Sequence, residues 1–383
     1  MSPSPARPRR IVFAAPYGYP ALRAEADAFG YVGGAEMQQA RLARLLAARG
    51  HDVWMVSADF GQPPRVTVDG VTVERAYAPF AGIPGLRFFH PRLSGLWSAL
   101  GRVDPDVVYQ RAAGALTGQC ALWARAHGRR FVFACAHDFD TVRPNPALGN
   151  PRDRWLYGYG LAHADRVLAQ SEEQVEALGR NYGLHASLVR NVIPLPAGTR
   201  PEAGADAVVW VGSVRPEKRP EWVLAAARAL PGVRFLVAGG PPPAPASDAT
   251  YRAFRAEADA LPNVEALGFV APTDVPAVLA RAKFFAHTSP AEGFPNTLLE
   301  AWALGVPSVS VVDPGGAVSR GGVGRACADE PSFIAAVSGL WNDDAGRRAL
   351  GERARAYVEA RHAPEAVAGD FESAVFADRE GVG

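Results

Sequence analysis

The chain has 383 residues, 48% of them hydrophobic and 21% charged, which is enough apolar material for about two core-forming domains and too much for disorder. Forty basic residues against thirty-nine acidic leave a net charge of +1, so no global field recruits nucleic acid or an anionic membrane. Three cysteines (Cys120, Cys135 and Cys327) form no CxxC pair, and no apolar run reaches the about 18 residues of a membrane span, which excludes a disulfide framework and an integral membrane protein.

Read from the N-terminus, residues 1–10 are basic and Pro-rich, and the apolar run 11–15 stops at Pro16, short of a signal-peptide core. A cytoplasmic protein is expected, with peripheral contact at the inner face of the membrane as the outer limit. Residues 11–15 predict a strand. A long loop follows, then a helix over 34–49 with Leu42, Leu45 and Leu46 on one face and Gly50 as its stop. Residues 53–56 predict the next strand, and 65–76, with Asp69-Gly70 at the centre, a hairpin. Strand-to-helix steps then follow at 106–110 with a helix from Ala113, at 130–136, and at 166–169 with a helix from Glu172.

Residues 191–207 are rich in Pro, Gly and Ala and break this rhythm, so the domain boundary falls there: 1–195 and 196–363, with a last helix over 364–380 returning to the first domain. The alternation restarts with strand 208–211 and a helix over 216–230. Further strands are expected at 233–238, 264–267, 283–286 and 308–312. Val367, Phe371 and Val375 at i, i+4, i+8 give the last helix a face that must be covered. Short apolar strands between helices predict an α/β fold: two Rossmann-like, doubly wound parallel-sheet domains facing each other across a cleft. Ligands in such sheets bind off the carboxyl ends of the strands.

Residues 289–301 (SPAEGFPNTLLEA) follow the strand at 283–286 and open a helix with Pro295 in its first turn. Free N–H groups at that start favour an anion, and Gly293 lets backbone approach it. Glu292 and Glu300, about 12 Å apart if the helical rise of about 1.5 Å per residue holds throughout, suit the hydroxyls of a nucleotide-sugar. The spacing alone is equally that of a helix cap and a surface glutamate.

The whole string resembles the E-x7-E signature of the retaining family 4 glycosyltransferases, which have the two-domain GT-B fold. The resemblance extends to Gly33-Gly34-Ala35-Glu36, to 46–53 (LAARGHDV), to His137 after its strand, to 169–172 (AQSE), to 191–194 (NVIP) and to 211–218 (VGSVRPEK), in the family's order. It implies that Glu300 accepts the donor's ribose hydroxyls and that Glu292 holds hydroxyls of the transferred sugar, helped by the backbone of the donor-binding stretch from Gly293 through Phe294 and Pro295 to Asn296. Lys218 would meet the diphosphate, as would Gly34 across the cleft. His137 would touch the donor sugar, and the base would lie near Phe269 and Val270 in 268–270 (GFV). Glu292, His137 and Lys218 are thus the catalytic candidates.

Independently, the chain has two lysines against thirty-eight arginines, and one of the two is Lys218. A solvated lysine in a helix's first turn, a tight turn at Gly33-Gly34 and a His137 bonded to turn backbone remain the ordinary readings of those positions. The family's usual arginine after the glycine at 212 is here Ser213, and the small residue after its lysine is Arg219, so Arg215 is the candidate for the missing charge. Tyr17, Tyr19, Phe29 and Tyr31 suggest an acceptor-binding lip, and 241–245 a stiff proline loop. Neither GxGxxG nor GxxxxGK occurs.

Two Asp-x-Asp strings, at Asp104/Asp106 and Asp138/Asp140, are weak metal signals, and no metal or other cofactor is expected. The expectation is a metal-independent, retaining transferase. It would move a hexose or N-acetylhexosamine from a nucleoside diphosphate donor, UDP-linked before GDP-mannose, to a hydroxyl on a lipid-linked saccharide, glycan or small molecule. A GT-B epimerase or phosphorylase, and a non-catalytic sugar-binding protein, are the alternatives.

Overall fold

The computed structural model describes residues 9–23, 32–197, 204–241, 248–290 and 292–377. Most of the basic N-terminus, Phe29 and Tyr31 of the expected lip, most of the proline run at 241–245 and the far end of the last expected helix lie outside them. The chain divides into two compact units, one holding the described residues up to Val192 and those from Pro364, the other Ile193–Ala363.

In the first unit the elements are β1 (Arg10–Ala14), α1 (Gly18–Arg23), α2 (Gly34–Ala48), β2 (Asp52–Ser57), β3 (Arg65–Val68), β4 (Val71–Arg75), α3 (Ser94–Val103) and β5 (Val107–Arg111). They continue with α4 (Ala115–Ala126), β6 (Arg130–Ala134), α5 (Pro151–Ala162), β7 (Arg166–Ala169), α6 (Glu172–Tyr182) and β8 (Ser187–Leu188). The strands form one sheet in the order β3-β4-β2-β1-β5-β6-β7-β8, parallel except for the β3–β4 hairpin. Alternation along β1 divides the core: Ile11 and Phe13 enter one helical layer, Val12 and Ala14 the other, and all four are buried.

The second unit comprises β9 (Ala207–Val211), α7 (Glu221–Ala229), β10 (Phe235–Ala238), α8 (Asp248–Asp259), β11 (Val264–Gly268), α9 (Val275–Ala280), β12 (Ala282–His287), α10 (Asn296–Ala303), β13 (Ser308–Ser310), β14 (Gly324–Ala326), α11 (Glu330–Trp341) and α12 (Asp344–Arg361). Its sheet is wholly parallel, in the order β11-β10-β9-β12-β13-β14. Numbered within the unit this is 3-2-1-4-5-6, the doubly wound order whose direction reverses between its first and fourth strands.

After α12 the chain returns to the first unit as α13 (Pro364–Phe376). Val367, Phe371 and Val375 are buried in the same core as Phe13 and Tyr109. Arg49 pairs with Glu365 at 2.7 Å and with Glu372 at 2.8 Å, and Arg166 donates to the Ala374 carbonyl at 2.9 Å, satisfying an acceptor at the helix end.

Several expectations change. The long loop expected after 11–15 contains α1 (Gly18–Arg23), and Tyr19 of the expected lip packs against the core. The helix at 216–230 is instead a 3-10 turn over Pro216–Lys218, a residue in the left-handed region (Arg219, φ 46°), then α7. Pro220 explains the break, because the residue before a proline is pushed out of the right-handed helical region. Helix α5, by contrast, was not among the expected helices, although Asn150 caps it and Pro151 opens it. Its Gly160 and the Gly118 of α4 let the two helices touch backbone to backbone: a Cβ on Gly118 would lie 2.4 Å from the Leu156 carbonyl oxygen.

Candidate active site

The order reversal in the second sheet falls between β9 and β12, and the loops leaving their carboxyl ends carry most of the sequence candidates. After β9 the chain passes Gly212, whose carbonyl oxygen lies where a Cβ on Gly239 would meet it at 2.4 Å, so only glycine fits at 239. It then enters the turn Pro216–Lys218. After β12 come Thr288 and Ser289, both buried. Trp210 Nε1 donates to Thr288 Oγ1 at 3.0 Å, and that hydroxyl donates to the Lys218 carbonyl at 2.6 Å. Ser289 Oγ donates to the Glu217 carbonyl at 3.3 Å. Two hydroxyls of one loop thus clamp the backbone of the other. The sequence reading missed Thr288; its only signal was a small polar pair directly after an apolar strand.

This clamp brings Lys218 and Glu292 into a direct ion pair, Nζ to Oε1, with both side chains largely buried. Burial pushes the Glu292 carboxyl up, but the Lys218 ammonium more than offsets it and leaves the group below the ordinary carboxylate range. Lys218 is therefore not a solvated helical lysine. The cation assigned to the diphosphate thus holds the carboxylate assigned to the sugar.

His287, the last residue of β12, lies behind the pair. Burial lowers its pKa to about 4, with Glu292 opposing and Lys218 assisting, so the ring is neutral at pH 7. Between about pH 6.5 and 4 the unfolded chain binds a proton that the folded one refuses, and stability falls as pH falls through that window. At about 1.36 kcal/mol per unit the loss is of order 3 kcal/mol. Melting curves of His287→Gln should show a shallower decline across the window than wild type.

Pro295 is the N-cap of α10 and not a residue of its first turn, at φ −62° and ψ 126°, and it has no N–H to offer. Of the four residues of the donor-binding stretch, Gly293, Phe294 and Asn296 can donate from the backbone. The Phe294 side chain is core: it is buried, 4.9 Å from the His362 ring and 6.1 Å from Trp302 between centroids. Glu292 stands off the helix, so helical rise separates only Asn296 from Glu300, by about 6 Å. Glu300 is half-buried on α10, whose Leu298, Leu299 and Trp302 are inside.

Arg215 is exposed and its Nε donates to Ser213 Oγ at 2.9 Å, while Arg219 lies on the Trp222 ring at 4.9 Å. Arg215 thus keeps to the loop after β9 and Arg219 turns toward α7. Phe269 is 62% exposed where β11 ends, packed against Gly240; Val270 joins the core below.

Gly34 and His137 belong to the first unit. Gly33 caps α2 and its N–H donates to Glu36 Oε2 at 3.1 Å, so a carboxylate of the chain occupies a donor of the glycine turn. His137 follows β6. Its Nδ1 accepts from the Phe139 N–H at 3.1 Å, which places the neutral ring's proton on Nε2. Asp140 is buried, accepting from the N–H groups of Ala136 (2.7 Å), His137 (3.1 Å) and Ala113 (3.3 Å); burial pushes its pKa up against those bonds. Asp138 accepts from Gln174 Nε2 at 2.9 Å. This string therefore builds the turn that carries His137. Asp106 lies before β5, where it accepts from the Arg10 N–H at 2.9 Å.

Two doubly wound units of this kind define the architecture of the GT-B glycosyltransferases. The structure superposes on sucrose-phosphate synthase of Thermosynechococcus elongatus with a TM-score of 0.77 at 21% identity, over 95% of this chain and 98% of that one. It also superposes on Anabaena HepE, solved with UDP and glucose, with a TM-score of 0.73 at 16% identity, over 95% and 98% of the two chains. Residues 32–195 match the model of Glycosyltransferase Family 4, and residues 205–343 that of Glycosyl transferases group 1. The D-inositol 3-phosphate glycosyltransferase of Mycobacterium marinum is 36% identical over 372 residues, covering 85% of this chain and 77% of the relative. That of Mycobacterium avium is 27% identical, covering 98% and 97%. The chain belongs to glycosyltransferase family 4 and is an enzyme of that class.

Proposed function

We propose that this glycosyltransferase takes a hexose or N-acetylhexosamine from a nucleoside diphosphate sugar, UDP-linked before GDP-linked, and passes it with retention and without a metal to an acceptor hydroxyl. The observation that carries this is the Lys218–Glu292 pair at the switch point between β9 and β12. A cation and a carboxylate held together at a strand-end crevice offer one group to a diphosphate and the other to sugar hydroxyls. Lys218, Arg215 and the amides at the start of α10 supply positive charge where the leaving diphosphate develops negative charge. Glu300 takes the ribose, and Phe269 and Val270 flank the base. In support, HepE is solved with UDP-glucose, and the mycobacterial relatives are named for a phosphorylated polyol acceptor.

The metal-free reading is supported by Asp140, whose carboxylate is taken by three backbone N–H groups. The test is release of nucleoside diphosphate from UDP- and GDP-sugars, with inositol phosphate or other polyols as acceptor, in the presence of EDTA. Turnover should survive chelation, and NMR of the product should show the donor's anomeric configuration. Activity abolished by EDTA and restored by Mn²⁺ would overturn the metal-free reading; an inverted product would overturn retention.

A further inference from the structure

A groove of about 700 Å³ runs along α5 in the first unit, with further walls from residues 143–148 and from Tyr182 and Leu184 at the end of α6. That volume falls in the about 300–1,000 Å³ range of small-ligand sites, and no residue of the candidate active site lines it. Trp155, Tyr159 and His163 stand at i, i+4 and i+8, so their side chains share one face. Their rings stack in turn, with centroids 5.6 Å apart at 27° and then 4.0 Å apart at 22°. Trp155 is 63% exposed. The ladder spreads over about 12 Å of helical rise, more than one sugar ring or one nucleobase covers.

Two residues of the groove serve nothing in the fold. Gly158 lies inside α5, where only proline is less favourable than glycine. Gly160 is required by its contact with α4, but a Cβ on Gly158 would meet nothing within 4 Å. Its missing side chain keeps the groove open and allows no packing. Asn145 is 3% exposed, and its Oδ1 accepts from the Ala147 N–H at 2.9 Å, yet its Nδ2 has no hydrogen-bond partner among the described residues. A buried donor left unpaired is costly, and an acceptor atom of a ligand in the groove would satisfy it. Charge narrows the ligand further. The lining includes Arg143 and Arg154 and no carboxylate. Arg143 lies over the Tyr182 ring at 5.8 Å and Arg154 Nε donates to the Leu148 carbonyl at 2.7 Å, so both guanidiniums retain further N–H donors.

We propose that this groove is a second saccharide site, which binds an acidic oligosaccharide. Sugar faces lie on Trp155 and Tyr159, an oxygen of the glycan meets Asn145 Nδ2, and a carboxylate or phosphate meets Arg143 and Arg154. A ladder of ring faces matches a ligand built of repeated rings with apolar faces and polar edges. Single-stranded nucleic acid has that repeat too, but it brings a phosphate at every step. Two arginines in a chain of net charge +1 would meet few of them. The choice of a saccharide rests on the family's chemistry, sugar transfer, and not on the donor or acceptor proposed above. Tyr182 Oη donates to the Val142 carbonyl at 2.8 Å, just past the turn that carries His137. A glycan seated in the groove is therefore held by the same unit as that turn.

Calorimetry of the full chain with hexasaccharides of galacturonic acid and of hyaluronan, with maltohexaose and with oligothymidylate needs no glycosyl transfer. Its failure therefore leaves the reading of the donor site untouched. Wild type should bind at least one acidic hexasaccharide about tenfold more tightly than neutral maltohexaose, and more weakly as salt rises. Trp155→Ala should lower that affinity about tenfold through the lost apolar area. Gly158→Leu, which fills the groove where nothing is packed, should lower it by at least about as much while the melting temperature holds or rises. Both variants should keep the wild-type affinity for UDP. Wild type that binds neither acidic hexasaccharide, or binds maltohexaose equally, overturns the proposal. Variants that bind the acidic glycan as wild type does would also overturn it. Oligothymidylate that binds more tightly than either glycan and is lost in Trp155→Ala would give the groove to nucleic acid instead.

Discussion

Lys218→Ala should cut turnover about a hundredfold to a thousandfold, the loss that follows removal of one preorganised group facing developing negative charge. Lys218→Arg should recover only part, because a planar fork replaces a compact ammonium in a place shaped by the Thr288 and Ser289 clamp. The alanine variant has a second signature. Lys218 holds the Glu292 carboxyl below its unfolded value, so the pair's contribution to stability is complete above the unfolded carboxylate range and is lost as acid carries the group through its folded pKa. Without the ammonium, burial is opposed only by the lesser effects of His287 and Ser289, and the carboxyl should move up. NMR titration of the glutamate carboxyls checks the direction, and steady-state kinetics checks the rate. An unchanged turnover would make the lysine structural and move the diphosphate toward Arg215.

The two glutamates should separate cleanly by ligand. Glu300→Ala should weaken free nucleoside diphosphate by about 1.5–3 kcal/mol, the range for a hydrogen bond to a charged group. Glu292→Ala should spare the free nucleotide and weaken the sugar-bearing donor. It should even tighten the bare diphosphate somewhat, because Lys218 is then released from its intramolecular partner. Calorimetry of UDP and of an unreactive UDP-sugar analogue with both variants distinguishes the roles. Equal losses of nucleotide affinity in the two variants would remove the division.

The strands were legible because parallel strands buried on both faces read as short apolar runs, and Ile11 to Ala14 alternate into two cores without any polar interruption. The Glu292–Glu300 string was legible as a loop leading into a helix. Its interior was not: Phe294 and Pro295 sit in a stretch that suggests ligand contact, yet one is a core aromatic and the other lacks a donor. The ion pair was illegible because it joins residues 74 apart in sequence through a clamp of two hydroxyls. The break after Lys218 was written in Pro220, but the apolar periodicity of Val223, Ala226 and Ala227 outweighed it. Helix α5 hid because glycines such as its Gly158 and Gly160 ordinarily mark loops, whereas here Gly160 serves close packing against α4.

The return of α13 has a consequence on the ribosome. Phe371, Val367 and Val375 complete the core around Phe13 and Tyr109, so that core stays open until the whole of Ile193–Ala363 has been made. At about 5–20 residues per second the delay is roughly ten to thirty seconds. During that time the second unit, whose segment is continuous, can finish folding while the first still presents the apolar groove that α13 will fill. The unit that emerges first is thus the one that matures last, and truncation just after Ala363 should harm it more than the unit next to the cut.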